Sequence, residues 1–204
     1  MTENPGRFIY VPSADISVVG HRLLLGMNYD QSQKEIVRTK EQGEKLSILT
    51  PYQFRGFLRY LRDSEIPEDQ EVFRDITQLG LPSRANWLNA RFEKRGSEMY
   101  MISENVLEKG GYVTKEQRLE DFLEQNETFE SSLNNWINSN TPHGLPSLKG
   151  SKGRLCFWHP ESGKAVGFWA NLRTAYLHCL FPPSGEKTLR HGVFAYAEGD
   201  VTKK

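Results

Sequence analysis

Residues 165–199 read AVGFWANLRTAYLHCLFPPSGEKTLRHGVFAYAEG, and small or apolar framework residues alternate there with a varied set of side chains. Phe168, Ala170, Ala175, Leu177 and Cys179 form the framework, while Trp169, Asn171, Arg173, Thr174, Tyr176 and His178 fall between them. From Ala175 to Cys179 the period is two, which predicts a strand with Tyr176 and His178 on one face and small groups on the other. Between Ala165 and Gly185 the only charged residue is Arg173, in a chain that is 25% charged. An ordinary solvated surface would carry more charge. Two readings remain open from the residues alone: a buried strand and turn, or a strand that packs on one side and meets a partner with the other.

The rest of the chain sets bounds on both readings. At 204 residues and 37% hydrophobic content, one domain spanning 1–204 can bury a real core. Lys plus Arg equals Asp plus Glu at 26 each, which removes the long-range attraction to phosphate and disfavours nucleic acid as a partner. No apolar run approaches the roughly 20 residues a bilayer span needs. The opening MTENPGRF lacks the basic and apolar regions of a signal peptide, so a cytoplasmic or particle-associated chain is expected. Cys156 and Cys179 are too few for a disulfide scaffold; both are expected as small buried thiols, although neighbouring strands could carry them.

An α+β pattern emerges along the chain, with short strands, two or three packed helices and much irregular loop. FIYV at 8–11 and the run Ile16–Leu25 read as strands, with Gly20 at a bulge, and Gln31–Lys40 reads as a polar helix. Thr50 opens the clearest helix: its side chain caps free amides, Pro51 takes the first turn and Gln53 completes a capping box. Phe54, Phe57, Leu58 and Leu61 then make one apolar stripe, which should pack on a sheet. A second helix follows Pro67, with Val72, Phe73, Ile76 and Leu79 inward and Gly80 as its stop. A third is expected from Thr114, capped through Gln117 and burying Leu119, Phe122 and Leu123. Trp87–Phe92, the turn Arg95-Gly96-Ser97 and Met99–Ile102 predict a hairpin. From Gly144 onward the composition predicts short strands joined by long loops.

Catalytic and cofactor motifs fail on spacing. Ser162-Gly163-Lys164 and Gly185-Glu186-Lys187-Thr188 lack the upstream glycine a phosphate loop requires. His21, His143, His159, His178 and His191 form no His-x-x-x-His pair, and no Cys-x-x-Cys occurs, so no metal site is expected. His178 and Cys179 are adjacent on a strand, point to opposite faces and cannot share a proton. Serine catalysis lacks its G-x-S-x-G elbow, and Glu120 with Asp121 reads as solvated charge on a helix surface.

Several segments together resemble a known family. Gly144-Leu145-Pro146, GRLCFWHP at 153–160, Ala165-Val166-Gly167-Phe168, Ala170, AYLHC at 175–179, Pro183 and Gly192-Val193-Phe194 are similar to the variable proteins of diversity-generating retroelements. LSILTPYQFRGFLRYL at 46–61 and NWLNARF at 86–92 add to the likeness, which covers most of 46–199. The resemblance implies a C-type lectin-like fold, shared with formylglycine-generating enzymes, and a variable region at about 165–199. It implies a non-enzymatic binder without cofactor, whose partner is a protein or a glycan. The contact set so implied is Trp169, Asn171, Leu172, Arg173, Thr174, Tyr176, His178, Leu180, Phe181, Ser184, Arg190 and His191. Phe168 and Trp158 are expected in the core, Leu172 and Leu180 on either side, and Arg190 and His191 at the flank of the patch or capping a turn.

In such systems an error-prone copy replaces the end of the gene, and mutation of asparagine-type codons never yields Lys, Glu or Gln. Residues 167–185 contain none of the three; Trp169 departs from the codon pattern, and Glu186 and Lys187 break it. The alternatives are an oxidase of the formylglycine-generating type, whose close cysteine pair is missing here, and a structural component of a phage particle. Calcium-dependent sugar binding is not expected, because Phe181–His191 offers Glu186 as its single carboxylate where calcium needs six to eight oxygens.

Overall fold

A computed structural model describes residues 7–203 except 22, 44, 79–84, 120–128, 147–152, 172 and 185–190. The chain is mixed α+β, and its described strands form two sheets. In the smaller sheet, β1 (Phe8–Val11), β2 (Ile16–Val19), β12 (Ala195–Glu198) and β3 (Ser47–Ile48) lie side by side in that order, all antiparallel. This sheet joins the two ends of the chain.

The larger sheet orders β6 (Gly111–Leu119), β5 (Glu98–Glu108), β4 (Ala85–Arg95), β9 (Ala165–Ala170), β10 (Ala175–Phe181), β8 (Leu155–Trp158) and β7 (Phe129–Ser131), with β11 (His191–Val193) beside the start of β4. The β10–β8 and β11–β4 pairs are parallel and the rest antiparallel. The predicted hairpin is β4 and β5, each 11 residues long, turning at Gly96.

Among the described residues, four α-helices pack on these sheets. The Thr50 capping box is present at the start of α2 (Pro51–Asp63), as expected. Its stripe of Phe54, Phe57, Leu58 and Leu61 is wholly buried. Phe54 lies 5.2 Å from Phe168, and Phe57 lies 5.6 Å from Phe194, ring to ring. Each such side chain contributes about 2 kcal/mol on leaving water, so this seam fixes which face of β9 and β10 points inward. The short helix α4 (Leu133–Asn138) was not foreseen; its Trp136 stacks on Phe168 at 5.7 Å and donates from Nε1 to Gly144 O at 2.8 Å. Gly144 has φ 77°, and a Cβ there would sit 2.2 Å from Tyr52 N, so only glycine lets this loop approach α2.

Among the described residues, the opposite face of the sheet is only partly covered. The helix α1 (Tyr29–Glu41), capped by Asn28, lays Tyr29 and Ile36 against Trp87, Ala165 and Val193. A buried polar network fastens it: Gln33 Nε2 donates to Asn89 Oδ1 at 2.8 Å and to Tyr29 Oη at 3.2 Å. α3 (Pro67–Thr77) follows its proline as predicted and buries Ile76, with Val72 and Phe73 half-buried; Leu79 and Gly80 lie outside the described residues.

The structure corrects two of the expected elements. Residues 111–119 are strand β6, not the start of a helix at Thr114. Pairing with β5 supplies cross-strand ion pairs, Arg118–Glu98 at 3.0 Å and Lys115–Glu108 at 3.3 Å, that a local capping signal cannot outweigh. Phe122 and Leu123, and with them Glu120 and Asp121, lie outside the described residues. The strand expected over Ile16–Leu25 ends at Val19; Gly20 extends the pairing by donating its N–H to Arg7 O at 2.8 Å, and Leu23 makes a separate bridge to Val193.

Candidate binding surface

The two-residue period of β10 divides its side chains cleanly. Ala175, Leu177 and Cys179 are fully buried on the face under α2, while Tyr176 and His178 stand half-buried on the other. Register then recruits neighbours to the outer face. Tyr176 pairs with Trp169 of β9 and with Cys156 of β8; His178 pairs with Gly167 and with Trp158. Phe168 is wholly buried inside, as expected. Trp158 was expected in the core and is not: it lies half-buried on the outer face, because Leu155 and Phe157 take the inward positions of its strand. Cys156 shares that face and is likewise half-buried, contrary to its reading as a buried thiol.

The outward side chains form a continuous row of rings. Trp169 stacks on Tyr176 with centroids 3.9 Å apart and planes 12° apart. Tyr176 in turn stacks on Trp158 at 5.4 Å, Trp158 meets His178 at 4.7 Å, and His178 meets Phe181 at 4.4 Å. Phe181 ends the row edge-on to Trp87 at 5.3 Å. Such contacts add about 0.5–1.5 kcal/mol each beyond area burial and hold the rings upright on the sheet.

Two of the expected contact residues have structural duties. Phe181 packs into the cluster of Tyr29, Ile36, Trp87, Ala165 and Val193. Its ring lies over Gly167, where a Cβ would come within 2.7 Å of Cε2 and 2.8 Å of Cδ2. Asn171 closes the β9–β10 turn: its Oδ1 accepts from the N–H of Arg173 and of Thr174, both at 2.8 Å, and its own N–H donates to Thr174 O at 2.8 Å. That is an Asx turn, which ties the side chain to the backbone.

The remaining candidates scatter around the row. Arg173 is exposed at the tip of the turn and Thr174 is half-buried beside it. Leu180 is half-buried, and Ser184 is exposed beyond Pro183, whose carbonyl accepts from Asp30 N at 3.3 Å. His191 opens β11 opposite Ala85, and its side chain lies outside the described residues, as do Leu172 and Arg190.

Burial tunes the two titratable groups of β10. The Cys179 thiol, wholly enclosed, is pushed well above its ordinary value, so it stays protonated and inert. Burial also lowers His178, whose Nδ1 accepts from Leu180 N at 3.3 Å. Among the described residues no group of three or more His, Cys, Asp or Glu is placed to hold a metal ion, and no helix is long and apolar enough to cross a membrane. A separate open cleft of about 900 Å³ lies between the small sheet and the β5–β6 arm, lined by Asp15, Tyr52, Ser103, Lys109, Lys115 and Glu198 among others. Sequence reasoning did not point to it. No protein-family model, curated protein or solved structure matches the chain.

Proposed function

We propose that the protein is a non-enzymatic binder of the variable-protein type associated with diversity-generating retroelements, built on a C-type lectin-like fold. Its recognition surface is the outer face of β8, β9 and β10. One observation carries the reading: Trp169, Tyr176 and His178 stand together on a face that no helix among the described residues covers, while Phe168, Ala170, Ala175, Leu177 and Cys179 close the core. A scaffold whose contacts are to change must keep those contacts out of its core and hold its loops by backbone bonds, and this face meets the first requirement. Trp169, Tyr176 and Trp158 supply rigid area and Arg173 a directional charge, the mixture that paratopes use. Aromatic and arginine anchors of this kind are worth about 2 kcal/mol or more when an interface encloses them.

The same geometry refines the contact set. Trp169, Arg173 and Tyr176 are the positions expected to vary, with Trp158 a fixed anchor beside them; Asn171 and Phe181 belong to the frame, and His178 touches both the open row and that frame. An oxidase would need two thiolates on one copper, and Cys156 and Cys179 sit on opposite faces of the sheet, which favours the binding reading over that alternative. Sequencing sibling copies of the gene tests the proposal. Substitutions concentrated between 167 and 191, beside a reverse-transcriptase gene and a near-duplicate of the coding region for 165–199, are expected. Substitutions spread evenly along the gene would overturn it.

A further inference from the structure

His178 occupies the one irregular point of β10. Pairing with β9 runs in register from Ala175 to His178 and then shifts, so that Phe181 faces Ala165. Inside that shift, Leu180 donates its N–H to Nδ1 of His178 at 3.3 Å. The side chain therefore caps the bulge formed by its own strand. An imidazole that accepts at Nδ1 is neutral and carries its proton on Nε2.

The shift has a purpose visible in the packing. It carries Phe181 across the strand onto Gly167, edge-on to Trp87 and 4.4 Å from the imidazole. On its other side the imidazole meets Trp158 at 4.7 Å. The ring that caps the bulge is thus also the ring wedged between the exposed part of the aromatic row and its buried end.

We propose that His178 makes this face acid-sensitive: a proton on Nδ1 sets two donors against each other, expels the imidazolium from the bulge and frees Phe181 from Gly167. The proton comes from solvent and no other bond changes. The imidazolium remains attracted to the face of Trp158, so it swings within the row instead of leaving it. Phe181 has no such hold. The groups against the imidazole are Trp158 from β8, Gly167 from β9, and Leu180 and Phe181 from its own strand, with Tyr176, Cys156 and Trp169 at the next paired position along the same face. No carboxylate among the described residues steadies the charged form, and burial alone lowers the titration of the ring. The rearrangement stands on this geometry; its use as a pH gate on recognition rests on the binding function proposed above.

A titration of isotopically labelled protein followed by NMR tests the device without any ligand, so it can fail or succeed separately from the binding proposal. The expected result is one transition, with a midpoint below the ordinary 6.5 of histidine, in which the His178 ring, the Leu180 amide and the Phe181 ring move together. His178→Asn retains a side-chain acceptor for the Leu180 amide and has no titrating group, so its Leu180 and Phe181 signals should not move over the same range. His178→Gln is the second control should the first fail to fold. A His178 titration that leaves Leu180 and Phe181 unmoved overturns the proposal, as does acid unfolding before any such transition.

Discussion

Replacing Gly167 by alanine is the most searching single perturbation of the outer face. The added Cβ would lie 2.7 and 2.8 Å from two carbons of the Phe181 ring, against an optimum of about 3.5–4.0 Å for carbon pairs. The ring must withdraw by about 1 Å, and Trp87 at 5.3 Å and His178 at 4.4 Å stand on its flanks. Overpacking of this kind costs about 1–3 kcal/mol, which in a chain of this size lowers Tm by about 2–4 °C per kcal/mol. Urea denaturation of Gly167→Ala in two backgrounds separates the clash from any other effect. With Phe181 present the alanine should destabilise. With Phe181→Ala the obstacle is gone, Gly167 has no left-handed backbone to protect, and the alanine should be neutral or stabilise by up to about 1 kcal/mol by restricting the unfolded chain. The reasoning fails if Gly167→Ala costs the same in both backgrounds, or if it costs less than about 0.5 kcal/mol with Phe181 in place.

Three further outcomes follow from the site. Asn171→Ala removes the acceptor for two turn amides and should cost about 1–2 kcal/mol by urea midpoint, while Asn171→Asp keeps the acceptor and loses far less. A thiol reagent at pH 8 should modify Cys156 in the folded protein and reach Cys179 only on unfolding; equal rates would contradict the enclosure of Cys179. His178 titrates lower when folded than when unfolded, so the folded state binds fewer protons in between. Its contribution to stability should be complete above about pH 6.5 and lost as pH falls through its lowered folded value, and the loss should be missing from the stability profile of His178→Asn.

The elements legible in the sequence were those where a local signal and the tertiary environment agree. The Thr50 box, the stripe of α2, the 85–108 hairpin and the period of β10 each needed only neighbours within a few positions. The reading failed where a partner strand decided the outcome. Thr114 to Gln117 spells a capping box, yet β5 pairs with 111–113 and 115–119 on either side of Thr114 and Arg95 reaches Glu116 at 2.8 Å. Trp158 was placed inside on the strength of its residue type. The period of Leu155, Cys156, Phe157 and Trp158 already held the correct answer, but only the register with Tyr176 and His178 says which phase faces out. Asn171 and Phe181 were read as contacts because they lie among the varied residues. An Asn three positions before a Thr at a turn was a signal present in the sequence, whereas the packing of Phe181 on Gly167 follows from the register shift after His178, which no local pattern shows.

The inward side chains of β9 and β10 carry the fold, while the outward positions 169 and 176 and the turn position 173 are free to change. Two libraries with the same codon diversity test this, one randomising 169, 173 and 176 and the other randomising 168, 170 and 177, each sorted by protease resistance on a display platform. Most members of the first library should remain resistant and few of the second. Equal loss in both would contradict the claim.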